Sequence, residues 1–171
     1  MKKVLILAIA ALSVLAIVGY WGFQKLGGNA PIDIQLVENK PENLAGITYR
    51  GIPGNEELGK VFERMETQKG RHPGSYLHTI YEVEPAGKLD TMIVFVGINQ
   101  TLPITDLEFR SFENGNYLLA KIKSNKWVMP SPDTVIEKLL EFAKENQLEL
   151  SGVYIDKIIS EEEVQVIAPI K

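Results

Sequence analysis

The chain has 171 residues, 45% hydrophobic and 23% charged, with a formal net charge of −4 and no cysteine. That is the size and make-up of one globular domain plus an extra segment, and it excludes a disulfide framework, a lipoprotein cysteine and a thiol nucleophile. Without residues 1–30 there remain 15 basic and 22 acidic residues, a formal charge of −7 with no Lys/Arg cluster to offset it, so nucleic acid is not an expected partner.

The extra segment comes first. From Val4 to Phe23 the chain reads VLILAIAALSVLAIVGYWGF, 20 residues without a charge. At about 1.5 Å of rise per residue, such a helix matches the roughly 30 Å apolar slab of a bilayer. A cleaved signal peptide calls for a shorter run and a small-x-small site; the nearest one, Gly28-Asn29-Ala30, is followed by Pro31. A buried core helix is the other alternative, but nothing polar is left for a solvent face. The sequence therefore predicts a transmembrane signal anchor over residues 1–26, a linker over 27–31 and a domain over 32–171. Lys2 and Lys3 precede the apolar run and only Lys25 follows it closely. The positive-inside bias then leaves the amino terminus in the cytoplasm and the domain outside it, which in a bacterium means the periplasmic side of the inner membrane.

IDIQLVE (32–38) alternates as a strand, and LAGITYRGI (44–52) is a second strand stopped by Pro53-Gly54. Leu58, Val61, Phe62 and Met65 then fall at helical spacing behind Glu56 and Glu57, with Gly70 as a stop. SYLHTIYEV and TMIVFVGI follow as strands. The second half repeats this order: LEFRSFE (107–113), a turn at Asn114-Gly115, and YLLAKIK (117–123). A helix opens at Ser131-Pro132, with Val135, Ile136, Leu139, Leu140 and Ala143 on its apolar face, and SGVYIDKI and VQVIAPI close the chain. Two halves, about 32–100 and 106–171, each read strand, strand, helix, strand, strand. The pattern predicts an α+β domain with pseudo-twofold symmetry, two helices on one face of an antiparallel sheet and a free groove on the other. Tyr81 and Tyr154 hold matching places in the two copies.

LAGITYRG, TIYEVEP, GVYIDKI and VQVIAPI, taken in this order, resemble the GyrI-like small-molecule binding domain, also called the AraC-type effector-binding or multidrug-binding domain, over about residues 32–170. The resemblance implies a doubled β-α-β-β fold with an aromatic ligand groove between the halves. It also implies a buried acid, two residues before the second tyrosine, that pairs with a cationic ligand. That position is Gly152 here, and its counterpart in the first copy is Thr79. Residues two apart on a strand share a face, so Thr79 with Tyr81, and Gly152 with Tyr154, are expected to face the groove. Glycine there enlarges the groove and removes the charge anchor, which favours a neutral, lipophilic or aromatic ligand.

The expected ligand-binding residues are thus Tyr81, Tyr154, Thr79, Gly152, Trp127 and Tyr49. Each has a plainer reading, since tyrosine is favoured in strands and Trp127 stands where a hydrophobic staple onto the second helix would stand. Glu82 and Asp156 are assigned by alternation to the face opposite the tyrosines. His72 and His78 lack a third convergent ligand, so no metal or other cofactor is expected. His78 should face away from Tyr81, toward solvent or a backbone carbonyl. No G-x-S-x-G, P-loop or H-E-x-x-H motif occurs, and hydrolysis of strained electrophiles, as in some relatives of the family, calls for a buried carboxyl group not found in this reading. The expected function is a membrane-anchored, non-catalytic module for a small apolar or aromatic molecule. The alternative is a protein-interaction domain that docks a basic partner by its acidic surface.

Overall fold

A computed structural model describes residues 2–26, 31–113, 115–125 and 127–171, with side chains from Leu12 onward. Residues 27–30 of the expected linker and Asn114 of the expected turn lie outside the described residues. The elements are α1 (Lys2–Lys25), β1 (Asp33–Val37), β2 (Leu44–Gly51), α2 (Glu56–Arg71), β3 (Leu77–Val83), β4 (Met92–Asn99), β5 (Glu108–Arg110), β6 (Tyr117–Lys123), α3 (Pro132–Glu145), β7 (Ile155–Ser160) and β8 (Glu163–Pro169). Each half therefore runs strand, strand, helix, strand, strand. Both helices start on a side-chain cap. Asn55 Oδ1 accepts from the Glu57 N–H at 3.0 Å, and Ser131 Oγ accepts from the Thr134 N–H at 3.3 Å.

The eight strands form one antiparallel sheet in the order β1-β6-β8-β7-β3-β4-β2-β5. Exchanging the halves (β1 for β5, β2 for β6, β3 for β7, β4 for β8) and reversing the order returns the same sequence of strands. The pseudo-twofold axis therefore passes between β3 and β7. The doubled β-α-β-β unit is the observed one, with a further strand ahead of each copy. Those further strands cross over: β1 pairs with β6 and β5 with β2, so each half is completed by a strand of the other.

Alternation divides the core into two faces. Under α3 lie Leu118, Ala120, Ile122, Val166 and Ala168, which meet Val135, Leu139 and Ala143. Under α2 lie Tyr49, Leu77, Val94, Val96 and Ile98, which meet Met65. The opposite face carries Leu44, Ile80, Phe95, Leu119, Ile155 and Ile167 as a third cluster, with Val37, Phe112 and Tyr117 packed against it. Neither α2 nor α3 covers this face, yet Ile80 is 4% and Phe95 0% exposed. It closes on its own side chains and on the edge segments, so among the described residues the expected groove does not open over this cluster. Phe95 shows how. Its ring lies down over Gly46 and Gly97, and the Arg110 guanidinium caps it at 4.1 Å. Arg110 is held in turn by Glu82 and Glu108, each at 2.7 Å.

Helix α1 stands apart. Leu12, Leu15 and Ile17 are 67%, 69% and 68% exposed. Among the described residues no helix is long and apolar enough to cross a membrane, so the span expected over residues 4–23 rests on the sequence.

A Cβ at Gly97 would stand 2.6 Å from Phe95 Cε1 and 2.9 Å from the Ala45 carbonyl oxygen. Gly97→Ala is therefore expected to destabilise by about 1–3 kcal/mol, as overpacking does. Gly59, inside α2, has nothing within 4 Å of its Cβ position, so Gly59→Ala should stabilise by about 0.5–1 kcal/mol. Urea midpoints of the two variants must move in opposite directions.

Candidate ligand-binding groove

The site is built on the central ladder. Strands β3 and β7 pair as Leu77↔Ile158, His78↔Lys157 and Thr79↔Asp156. Continuing that register by two residues sets Tyr81 opposite Tyr154. The pairs Leu77–Ile158, Thr79–Asp156 and Tyr81–Tyr154 all share the helix face. Tyr81, Tyr154, Asp156 and Val166 form the floor of a groove of about 370 Å³. Pro132, Asp133 and Ile136 of the first turn of α3 make its wall, and Glu84 and Pro85 close one end. The groove thus lies beside a helix and not on the helix-free face.

Asp156 is the chemical centre. It is partly buried, and the Thr79 hydroxyl donates to its Oδ2 at 3.3 Å. Burial pushes its carboxyl up to about 6; the Thr79 hydrogen bond opposes the shift and the Glu84 charge adds to it. Tyr81 is raised above the ordinary phenol value by burial first, then by Asp156 and Glu84. Burial also raises Tyr154. Both phenols therefore stay neutral donors at physiological pH, beside a carboxyl that titrates just below it.

Several expected placements change. Asp156 comes two residues after Tyr154, not next to it, and so shares its face; the acid missing at position 152 stands at position 156. Glu82 directly follows Tyr81 and does lie on the opposite face, paired with Arg110. Gly152 is not a strand residue, because β7 begins at Ile155. It is exposed, with φ +84 and nothing near its Cβ position. A left-handed turn explains this glycine better than room for a ligand. It borders a separate shallow hollow together with Tyr154. Thr79 is 5% exposed and reaches the groove only through Asp156.

Tyr49 is a core residue, 5% exposed in the cluster under α2, and its hydroxyl donates to the Ile52 carbonyl at 3.1 Å. Trp127 is 81% exposed and not part of the groove. His78 does face away from Tyr81 but is buried, with Nδ1 bonded to the Tyr76 carbonyl at 2.9 Å. Burial lowers its pKa to about 4, so the ring is neutral. Among the described residues no group of three or more His, Cys, Asp or Glu could hold a metal ion. A somewhat larger hollow, about 430 Å³, lies among the loops at Asn39–Asn43, Pro73–Ser75 and Asn99–Thr101. It has no aromatic lining, so among the described residues the Tyr81–Tyr154 groove is the stronger candidate.

No family model matches the chain, and no curated protein does. An uncharacterized conserved protein from Listeria innocua superposes with a TM-score of 0.58 at 11% identity, covering 87% of this chain and 98% of that one. A hydrolase from Listeria innocua gives 0.56 at 9% identity, covering 81% and 92%. The C-terminal domain of EcmrR gives 0.51 at 12%, covering 82% and 97%. At these identities the likeness is one of fold.

The raised carboxyl fixes a sign for stability. Its folded pKa of about 6 lies above the ordinary 3.8, so its contribution is most favourable below about pH 4 and is lost as the pH rises through 6. Asp156→Asn removes that loss. The variant is expected to gain on the wild type between pH 4 and pH 6, by on the order of 2 kcal/mol once the carboxylate is fully ionised. Urea unfolding at pH 4 and pH 7.5 reads the difference, and a gap independent of pH would contradict the buried carboxyl.

Proposed function

We propose that the chain is a membrane-anchored binding module for a small aromatic cation. The observation that carries this reading is Asp156 placed between Tyr81 and Tyr154 on the floor of one groove. Two tyrosine faces offer stacking and cation–π attraction, and a partly buried carboxylate offers a charge partner that water screens poorly. Glu84 and Asp133 at the edges add the same sign. The volume is within the range of small-molecule sites, roughly 300–1,000 Å³. This reverses the neutral preference inferred from Gly152, since the acid is supplied from another position. The GyrI-like resemblance supports the same class of ligand.

Anchoring is the second part of the proposal. An uncharged run of 20 residues forms part of a helix whose described apolar side chains lie away from the domain core. A bilayer is the solvent that such a surface fits. The lysine asymmetry around it supports a cytoplasmic amino terminus and an extracytoplasmic domain.

A second reading draws on the same carboxyl. An acid with a pKa of about 6 can give a proton to a leaving oxygen near neutral pH, and a fold shared with a hydrolase is compatible with that role. Product analysis by mass spectrometry after incubation with an epoxide panel separates the readings. Turnover abolished in Asp156→Asn favours the enzyme, and unchanged compounds favour the binding module.

Cationic aromatic dyes should raise the thermal midpoint of the protein, and the affinity should increase from pH 5 to pH 7.5 as Asp156 ionises. In Asp156→Asn that dependence should vanish and affinity should fall about tenfold or more, the worth of one hydrogen bond to a charged group. Tyr154→Ala should weaken cationic and neutral aromatic ligands alike. Equal affinity of wild type and Asp156→Asn for a dye at pH 7.5, measured by calorimetry, would overturn the charge-pairing reading.

A further inference from the structure

The groove has a neighbour. A hollow of about 400 Å³ lies further along α3, lined by Leu140, Ala143 and Lys144 of that helix and by Leu148, Leu150 and Tyr154 beyond it. Tyr154 belongs to both linings and is the wall they share. The helix residues also belong together. Asp133 and Ile136 line the groove, and Leu140, Ala143 and Lys144 line the hollow. Steps of three and four residues keep one face of a helix. From Asp133 to Lys144 is eleven residues, about 16.5 Å along the axis. The two spaces therefore lie end to end along one face of α3, with Tyr154 at the joint.

The hollow is built by the way α3 ends. Gln147 takes a left-handed φ of +56. Its N–H donates to the Lys144 carbonyl at 3.3 Å, and the Leu148 N–H reaches back to the Ala143 carbonyl at 2.8 Å. That pair of bonds is a Schellman motif, which brings the residue after the turn back onto the last turns of the helix. Leu148 accordingly packs, with Leu150 and Tyr154, against the core under α3. Leu150 is fixed by its bridge to Ile170, and the Ser151 N–H donates to the Pro169 carbonyl at 2.8 Å. Backbone bonds thus hold the walls, yet Leu140 on the rim stays 50% exposed. An apolar surface framed in this way and left uncovered suits an apolar occupant.

Charge separates the two spaces. The groove is lined by Glu84, Asp133 and Asp156 and by no basic residue. The hollow is lined by Lys144 and Glu149, and Glu149 is already paired with Lys171. A cationic head is drawn to the first space and repelled from the second by Lys144, whereas an uncharged chain feels neither. We propose that the hollow is a tail subsite of the groove: the ligand is an aromatic cation bearing an alkyl chain, with its head against Asp156 and its chain lying past Tyr154 over Leu140, Leu148 and Leu150. The inference rests on the aromatic-cation reading of the proposed function and adds chain length as a determinant of affinity.

Benzyldimethylalkylammonium ions, with the alkyl group lengthened from methyl to octyl, keep one aromatic head and change only the chain. They are titrated calorimetrically at pH 7.5 into the full chain in a non-ionic detergent, where partition into the detergent is common to every variant. Affinity should rise about twofold for each added methylene, less than complete burial gives because the hollow is open on one side. Leu140→Asn should weaken the octyl member about fivefold and leave the methyl member unchanged. Asp156→Asn should weaken every member. If the methyl member binds and the gain with length is absent, or is the same in Leu140→Asn as in the wild type, the aromatic-cation reading stands and this inference falls. An octyl member that binds Asp156→Asn as tightly as the wild type seats a chain without its head, and overturns the inference as well. If no member binds, the proposed function falls and takes the inference with it.

Discussion

The antiparallel ladder between β3 and β7 is the constraint on which the rest of the molecule depends. Only three residue pairs make it, yet it is the seam where two four-stranded halves become one eight-stranded sheet. Strands β1 and β5 reinforce the union by crossing to the opposite half, so neither half has a complete sheet of its own. The same seam aligns Thr79, Asp156, Tyr81 and Tyr154 on one face. Fold and site are thus the consequence of a single register, and a slip of one residue in either strand would turn its two site residues to the other face.

Which face remained open was decided by packing. The helix-free face has large residues along its centre, Ile80 and Ile155 on the seam strands and Phe95 and Ile167 on their neighbours, and these fill the space. Phe95 can lie flat because Gly46 and Gly97 give it a floor without side chains. On the helix face each helix covers its own half: α3 packs over β6 and β8, α2 over β2 and β4. Between the covered areas, residues of the seam keep partial access to solvent. A groove beside α3 is what remains when two helices are set on a sheet wider than both.

Much of this was legible in the chain. The order of elements follows from local signals: alternation in β6 and β8, the Ser131-Pro132 cap of α3, and the 3–4 spacing of Leu58, Val61, Phe62 and Met65. Tyr81 and Tyr154 were legible as a pair because their contexts match; Tyr81 lies in β3 and Tyr154 immediately precedes β7. What local signals could not carry was pairing between distant segments. Nothing in IDIQLVE says that β1 will join β6, with Asp33 opposite Lys121, 88 residues further on, and nothing in the tyrosine spacing says that Tyr81 and Tyr154 will line one groove. Asp156 was within reach, since a count of two from Tyr154 puts it on the tyrosine's face. Gly152 misled because a glycine before a strand was read as a strand position, when its positive φ makes it a turn. Trp127 misled because an exposed aromatic and a pocket aromatic have the same letter.

The seam also explains why the two copies cannot be identical at the site. Thr79 and Asp156 face each other across the pseudo-axis, so a perfectly symmetric repeat would place the same residue at both positions. Two aspartates there would stand with Cα atoms about 4.5–5.5 Å apart. Like charges directly opposite on a sheet destabilise it, and in a partly buried place only one could ionise. Two threonines would leave no charge for a ligand to meet. One of each gives a donor facing an acceptor: the Thr79 hydroxyl steadies the carboxylate and partly offsets the burial that raises its pKa. The asymmetry of the groove is therefore the condition on which a symmetric sheet can hold a charge at its centre.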